Sequence, residues 1–307
     1  MHFRRIANSR QAASLLLSGL ENHVASLPAA GRHVVAYSGG VDSSVVAAVV
    51  HRVHKSSAEA LLGVSASLPR EQRELALRVA EHIGITLRQI ETKEGTEAKY
   101  LENTGQACYA CKRSLYDGMT EVYLSAAAAV GADQTFSVRL YNGTNADDVK
   151  DATRVGLVAA REFEVSSPLL AVGLTKEQVR IVAKELGLPN ALHAASPCLR
   201  SRLALGVRAT VSALQNIEAA ERLVRDRLDP ALLASGGLNP DTINLRVRHL
   251  NDGTARVELD ADLLRRRELQ DPTWQSGLCE AVVSLGYNGV SIAPFKSGSN
   301  SLPNKTD

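Results

Sequence analysis

The sequence predicts an α/β protein: a doubly wound parallel sheet over residues 1–204, followed by a smaller α+β domain over 205–307. Three observations lead there. Short runs rich in valine and isoleucine alternate with stretches of helical period between residues 33 and 186. A glycine turn joins the first such run directly to a helix, as in strand–turn–helix units. Past residue 204 the rhythm changes to one long amphipathic stretch and a hairpin signal, Asn251-Asp252-Gly253.

Taken in order, residues 9–27 read as a leading helix, with Leu16 and Leu20 at helical spacing and Pro28 at its end. Residues 33–37 (HVVAY) suit a buried parallel strand, and Val46, Val49, Val50 and Val53 place a helix after the turn. Residues 60–64 read as a second strand and 69–84 as a helix with Leu75, Val79 and Ile83 on one face. A third strand is expected at 85–90 (ITLRQI), a helix from Cys111 to about 130, and a fourth strand at 135–141 (TFSVRLY). Thr175 is positioned to cap a helix over 175–186 whose Val179, Val182 and Leu186 face inward, and Gly187 and Pro189 end it. In the second domain, Leu214, Ile217, Val224 and Leu228 mark a long helix before a Gly/Asn/Pro stretch at 236–240. Two strands flank the hairpin turn, a helix follows near 274–285, and a last strand lies near 289–293. The tail from Ser297 is polar and expected to fray. No internal repeat is present.

The 307 residues are 45% hydrophobic and 22% charged, ample for a soluble globular core. A formal charge of +2 provides no broad positive field for a polyanion, so nucleic acid is not the expected partner. The N-terminal LLLSGL is too weak for a secretory signal, and no run is long enough to span a bilayer. With four cysteines the chain is no disulfide scaffold, and a cytoplasmic protein is expected.

The turn is Ser38-Gly39-Gly40-Val41-Asp42-Ser43. Between a strand and a helix it would aim backbone N–H groups at an anion, with the two glycines allowing angles other residues resist. The Ser38 and Ser43 hydroxyls suit phosphate oxygens, while Asp42 would orient the loop or hold Mg²⁺. No lysine follows the glycines, which excludes a Walker loop. SGGVDS resembles the signature of the PP-loop (N-type) ATP pyrophosphatases. That likeness implies an adenine nucleotide alpha hydrolase-like fold, with ATP split between its α- and β-phosphates.

Cys108 and Cys111 form a C-x-x-C pair, and Cys198 follows at a distance in PCLRSR. By spacing alone an iron–sulfur cluster and a zinc site completed by His193 stand level, with a reversible disulfide or buried thiols as alternatives. Cys279 falls on an apolar helix and reads as core. On the strand before the hairpin, alternation places Arg246 and Arg248 opposite Ile243, Leu245 and Val247, and on its partner Arg256 and Glu258 opposite Ala255, Val257 and Leu259. Pattern alone makes this a solvated sheet face.

Together the loop, CYACKRSLY, the segment 142–148 (NGTNADD), PCLRSR at 197–202 and RVRHLNDGTARVEL at 246–259 resemble the LarE family of ATP-dependent sulfur transferases over most of the chain. The resemblance implies that Ser38, Gly39, Gly40, Val41, Asp42, Ser43, Asn145 and Asp147 meet ATP, with Mg²⁺. It implies that Cys108, Cys111 and Cys198 bind a 4Fe–4S cluster, acting in catalysis with Asp42, and that sulfur comes from an external donor. It also implies that Arg202, Arg246 and Arg248 contact a substrate phosphate, and that Glu221 and Glu258 can hold a divalent cation. The expected reaction adenylates a carboxylate, that of a pyridinium mononucleotide, and converts it to a thiocarboxylate, in a homo-oligomeric enzyme. One departure stands out: Arg154-Val155-Gly156 occupies the place of the usual Arg-Pro-Gly. A PP-loop thiolase for another small molecule, such as a nucleobase, and a nucleotide or cluster sensor without turnover are the alternatives.

Overall fold

The structure, a computed structural model, describes residues 2–129, 137–150, 155–228 and 239–296, with side chains in the first stretch described from 11 to 123. The chain divides into two units, one of 1–65, 70–94 and 108–192 and another of 66–69, 95–107 and 193–307.

In the first unit, α1 (His2–Ser26), β1 (Arg32–Tyr37), α2 (Val41–His54), β2 (Ala58–Val64), α3 (Arg70–Ile83) and β3 (Thr86–Glu91) follow in order. After the short α4 (Ala98–Leu101), which belongs to the second unit, come α5 (Ala107–Ala129), β4 (Val138–Tyr141), α6 (Gly156–Glu162), α7 (Pro168–Ala171) and α8 (Lys176–Glu185). The four strands are parallel in the order β3-β2-β1-β4. β1 is central, and its Val34, Val35, Ala36 and Tyr37 are all buried, which is why its sequence runs apolar without alternation. Val34 and Ala36 pack under Tyr116, Met119 and Tyr123 of α5 and Ala159 of α6. α2 packs on β1, and α1 and α8 pack on α2 and on each other. β3, at the edge, reads polar (TLRQIE) and is largely exposed.

Local rules explain the helices. α3 buries Leu75, Ala76, Val79 and Ala80 on one stripe. α8 begins with a complete capping box, Thr175 with Gln178. Because the chain runs from β1 out to β3 and then returns to the other side of β1 for β4, the carboxyl ends of β1 and β4 form a topological switch point, where ligands bind in such sheets.

The second unit holds α9 (Val211–Arg227), β5 (Leu245–His249), β6 (Ala255–Leu259), β7 (Val290–Pro294) and two further helices, Ala261–Leu264 and Pro272–Val283. β5 and β6 form the expected antiparallel hairpin, Gly253 taking φ +76° and the Asp252 carboxylate accepting from Thr254. β7 pairs parallel to β6. Val224, Leu245, Val247, Val257, Leu259, Leu278 and Val282 make its core.

Two expectations shift. The helix placed after Cys111 begins at Ala107, so both cysteines of the C-x-x-C lie in its first two turns. The last stretch of the second unit begins at His193, where the sequence places a boundary after 204: Leu199 N–H donates to Ser67 O, Ala204 N–H to His249 O and Ala209 N–H to Leu101 O. These bonds tie PCLRSR and two earlier segments to the C-terminal sheet. Of the fourth strand, 135 and 136 lie outside the described residues, as do Arg154, residues 236–238 and the tail from Ser297. Among the described residues no helix is long and apolar enough to cross a membrane.

Candidate functional site

The Ser38–Ser43 turn leaves the carboxyl end of β1 and enters α2. Gly39 has φ +70°, and a Cβ there would fall 2.6 Å from Ala76 of α3, so only glycine fits. Gly40 is different: its φ is −73° and a Cβ would meet nothing closer than Ser38 Oγ at 3.4 Å. The need for special backbone angles therefore applies to Gly39 alone. The Ser43 hydroxyl, expected to face phosphate, turns inward, donating to Gly40 O (3.1 Å) and accepting from Ser38 N–H (3.2 Å). Ser38 is exposed at the mouth of the turn. The Val41 peptide begins α2, whose first turn also carries Asp42.

The segment after β4 closes against this turn. A Cβ on Gly143 would lie 2.7 Å from Ser43 N, so glycine is required for the approach. Asn145 Oδ1 accepts from Asp147 N–H (2.9 Å) and Asp148 N–H (3.2 Å), an Asx turn that fixes the GTNADD shape. Asp147 itself accepts from Lys176 N–H (2.8 Å) and Lys150 Nζ (2.7 Å), which assigns it to anchoring α8 to this segment. Its neighbour Asp148, not singled out from the sequence, is buried and acts electrostatically on Asp42. Burial and then Asp148 push the Asp42 carboxyl up to about 6, against the opposing pull of Lys176, Arg180 and the Asn145 amide. Two crowded carboxylates of this kind suit a hard divalent cation such as Mg²⁺. Gln72 and Asn190 also reach the turn, and one sequence gives no sign of either: Gln72 sits in the first turn of an ordinary amphipathic helix, Asn190 in a loop after Pro189.

Cys108 and Cys111, at i and i+3 at the start of α5, share one side of the helix; Cys108 is exposed and Cys111 half-buried. A Cβ on Gly156 would come within 3.3 Å of Lys112 and 3.5 Å of Cys108 O, so the segment that departs from Arg-Pro-Gly still packs glycine against this turn. Paired soft thiols at a helix start suit an iron–sulfur or a zinc centre alike. Cys198 and His193 lie in the second unit. His193 Nε2 faces Asp241 Oδ2 at 3.4 Å. Cys279 is a half-buried free thiol whose pKa is raised by burial. Among the described residues no group of three or more His, Cys, Asp and Glu side chains gathers as a metal site.

In the second unit the arginine face is not solvated. Arg202, Arg246 and Arg248 are 1%, 5% and 6% exposed. Arg202 forms a two-pronged pair with Glu221 (2.8 and 3.2 Å) and donates through Nη1 to Pro197 O and Cys198 O. Arg248 pairs with Glu258 (3.0 Å) and donates to Ser201 O (2.9 Å), while Arg246 donates to Ala195 O and Leu245 O and lies over the Phe295 ring. Burial and the neighbouring Arg202 lower Arg246 to about 10. The face read as solvated is covered by 195–202, whose carbonyls need donors. Glu221 and Glu258 serve these arginines, and Glu221 also accepts from Val247 N–H (3.1 Å) at the sheet edge.

The family model for NAD synthase matches residues 13–113, the stretch that builds β1, the turn and α2. An uncharacterized protein of Synechocystis is 37% identical over 211 residues, 69% of this chain and 75% of that protein. The pyridinium-3,5-bisthiocarboxylic acid mononucleotide synthase of Lactiplantibacillus plantarum is 29% identical over 243 residues, 77% of each chain. This chain belongs to the LarE family. An uncharacterized protein of Methanocaldococcus jannaschii, 23% identical over 73% of the chain, is a further relative. LarE membership makes the chain an ATP-utilising sulfurtransferase of the PP-loop superfamily, and the parallel sheet agrees with that superfamily's fold.

Proposed function

We propose that this chain adenylates the carboxylate of a pyridinium mononucleotide, releases pyrophosphate, and converts the acyl-adenylate to a thiocarboxylate. The observation that carries the reading is the Ser38–Ser43 turn at the switch point, with its helix N-terminus open to an anion and Asp42 and Asp148 beside it. In this reading the turn grips the β- and γ-phosphates, and Asp42 and Asp148 hold Mg²⁺, which supplies neutralising charge. A carboxylate oxygen of the substrate attacks the α-phosphorus and pyrophosphate leaves. Adenylation is needed because a carboxylate is a poor electrophile. A sulfur nucleophile from an external donor then attacks the carbonyl carbon and AMP departs. Cys108, Cys111 and Cys198 would hold a 4Fe–4S cluster, which supplies a carrier for sulfur when bound. Arg202, Arg246 and Arg248 would meet the substrate phosphate, each exchanging for it the carboxylate or carbonyl partners it holds here. We place the enzyme in the cytoplasm as a homo-oligomer.

The test is pyrophosphate release from ATP with pyridinium carboxylates. Asp42→Asn should fold normally yet lose release; undiminished release would overturn the reading. Mg²⁺ binding should also weaken as pH drops below about 6, where Asp42 of the metal-free chain takes up a proton. For the cysteines, anaerobic protein should contain iron and acid-labile sulfide, lost in Cys108→Ser; stoichiometric zinc instead would refute the cluster.

A further inference from the structure

Three consecutive carbonyls of the Ser38–Ser43 turn are tied to protein donors. Ser38 O accepts from Gln72 Nε2 (2.7 Å), Gly39 O from Asn190 Nδ2 (2.8 Å), and Gly40 O from Ser43 Oγ (3.1 Å) and Ser44 N–H (3.0 Å). The donors come from three places: α3, the loop after α8, and the turn itself. Gln72 is 8% exposed and Asn190 wholly buried, so both amides are largely shielded from bulk water. A carbonyl can only accept, so each amide must present its nitrogen to the turn, which fixes the amide orientation. Asn190 Nδ2 also donates to Ser44 Oγ (3.0 Å), while its buried Oδ1 has no partner among the described residues. Leaving that oxygen unsatisfied is a cost that ordinary packing would avoid.

A trans peptide is planar, and its N–H points opposite to its C=O. Fixing the Ser38, Gly39 and Gly40 carbonyls therefore turns the N–H groups of Gly39, Gly40 and Val41 to the other side of the turn. The Gly40 N–H has only a long contact, 3.4 Å, to Ser38 Oγ. We infer that Gln72 and Asn190 are positioning residues: their amides clamp the Ser38 and Gly39 carbonyls so that the N–H groups of Gly39 and Gly40 are aimed at the β- and γ-phosphates of ATP before it arrives. Preorganised donors bind an anion without reorganising, whereas a free turn could present a carbonyl to phosphate instead. The inference rests on the ATP reading above and adds the residues that orient the grip.

The experiment compares ATP with AMP, which lacks the β- and γ-phosphates, by calorimetry on the full chain. Gln72→Met keeps side-chain length and removes the donor; Asn190→Leu does the same for the second clamp. Expected in Gln72→Met is an ATP Kd raised about five- to tenfold, the loss of roughly one hydrogen bond's orientation, with the AMP Kd within about twofold of wild type. Asn190→Leu should show the same selectivity, and if it fails to fold, Gln72→Met alone decides. Equal weakening of ATP and AMP would mean general damage and overturn the clamp, as would unchanged ATP affinity. Wild-type chain that binds no ATP would sink the ATP reading and the clamp together; wild-type binding with an unaffected Gln72→Met sinks only the clamp.

Discussion

Arg202 keeps its charge out of water because Glu221 meets it with both carboxylate oxygens, and because Pro197 O and Cys198 O take its remaining fork. Removing the glutamate strands a guanidinium that is 1% exposed. Glu221→Ala should therefore destabilise the fold by about 3–5 kcal/mol, read from the urea midpoint, and Glu221→Ala with Arg202→Met should recover much of it. Unchanged stability in the single variant would show that the pair is not buried in solution. The arginines are a place where sequence reading stops short. Alternation along β5 puts Arg246 and Arg248 on one face correctly, but whether a face meets water depends on what covers it. The cover is 195–202, remote in sequence, and no periodicity within the strand announces it. Glycine shows the same limit: SGG signals a turn, yet it takes the backbone angle and the proximity of Ala76 to tell Gly39 from Gly40.

The β1–α2 element carries the glycine turn at one end and a histidine pair at the other. His33, at the start of β1, stacks on His54, at the end of α2, with ring centroids 3.4 Å apart, and shares a 2.8 Å hydrogen bond with Tyr141 Oη. Burial, then His54 and Arg139, lower His33 to about 4, and burial lowers His54 as well. Both rings are therefore neutral in the fold at neutral pH. Unfolded histidine takes up its proton near 6.5, so stability present above that pH is lost as pH falls from about 6.5 toward about 4. His33→Gln, which cannot charge but can still meet Tyr141, should flatten that decline. Urea titrations at pH 7 and pH 5 measure it, and parallel losses in both proteins would refute the assignment. At this scale the sequence was most legible. The four parallel strands, the α8 cap at Thr175 and the hairpin at Asn251–Thr254 all follow from period and turn chemistry. The helix at Cys108 begins a turn earlier than the sequence predicts, because Ala107 gives no capping signal.

Across the whole molecule, neither unit is one continuous piece of chain. Residues 66–69 and 95–107 belong with 193–307, held by Ser67 O to Leu199 N–H, Asn103 Nδ2 to Ala204 O and Arg200 Nη1 to Asn103 Oδ1. A fragment of 193–307 alone should be markedly less stable to urea than the same unit in the full chain, and Asn103→Ala in the full chain should weaken it in part. A fragment as stable as the full chain would show that the early segments contribute little. The boundary drawn after 204 followed a change in rhythm along the chain, which cannot register short segments borrowed from elsewhere.

This interleaving has a consequence for how the protein is made. The first unit has every one of its segments once residue 192 has left the ribosome, so it can mature while synthesis continues. Residues 66–69 and 95–107 emerge early and wait for partners that are translated later. Apolar side chains that they bury in the finished fold, Tyr100 among them, stay exposed until then, and a pause in translation beyond residue 192 would lengthen that wait.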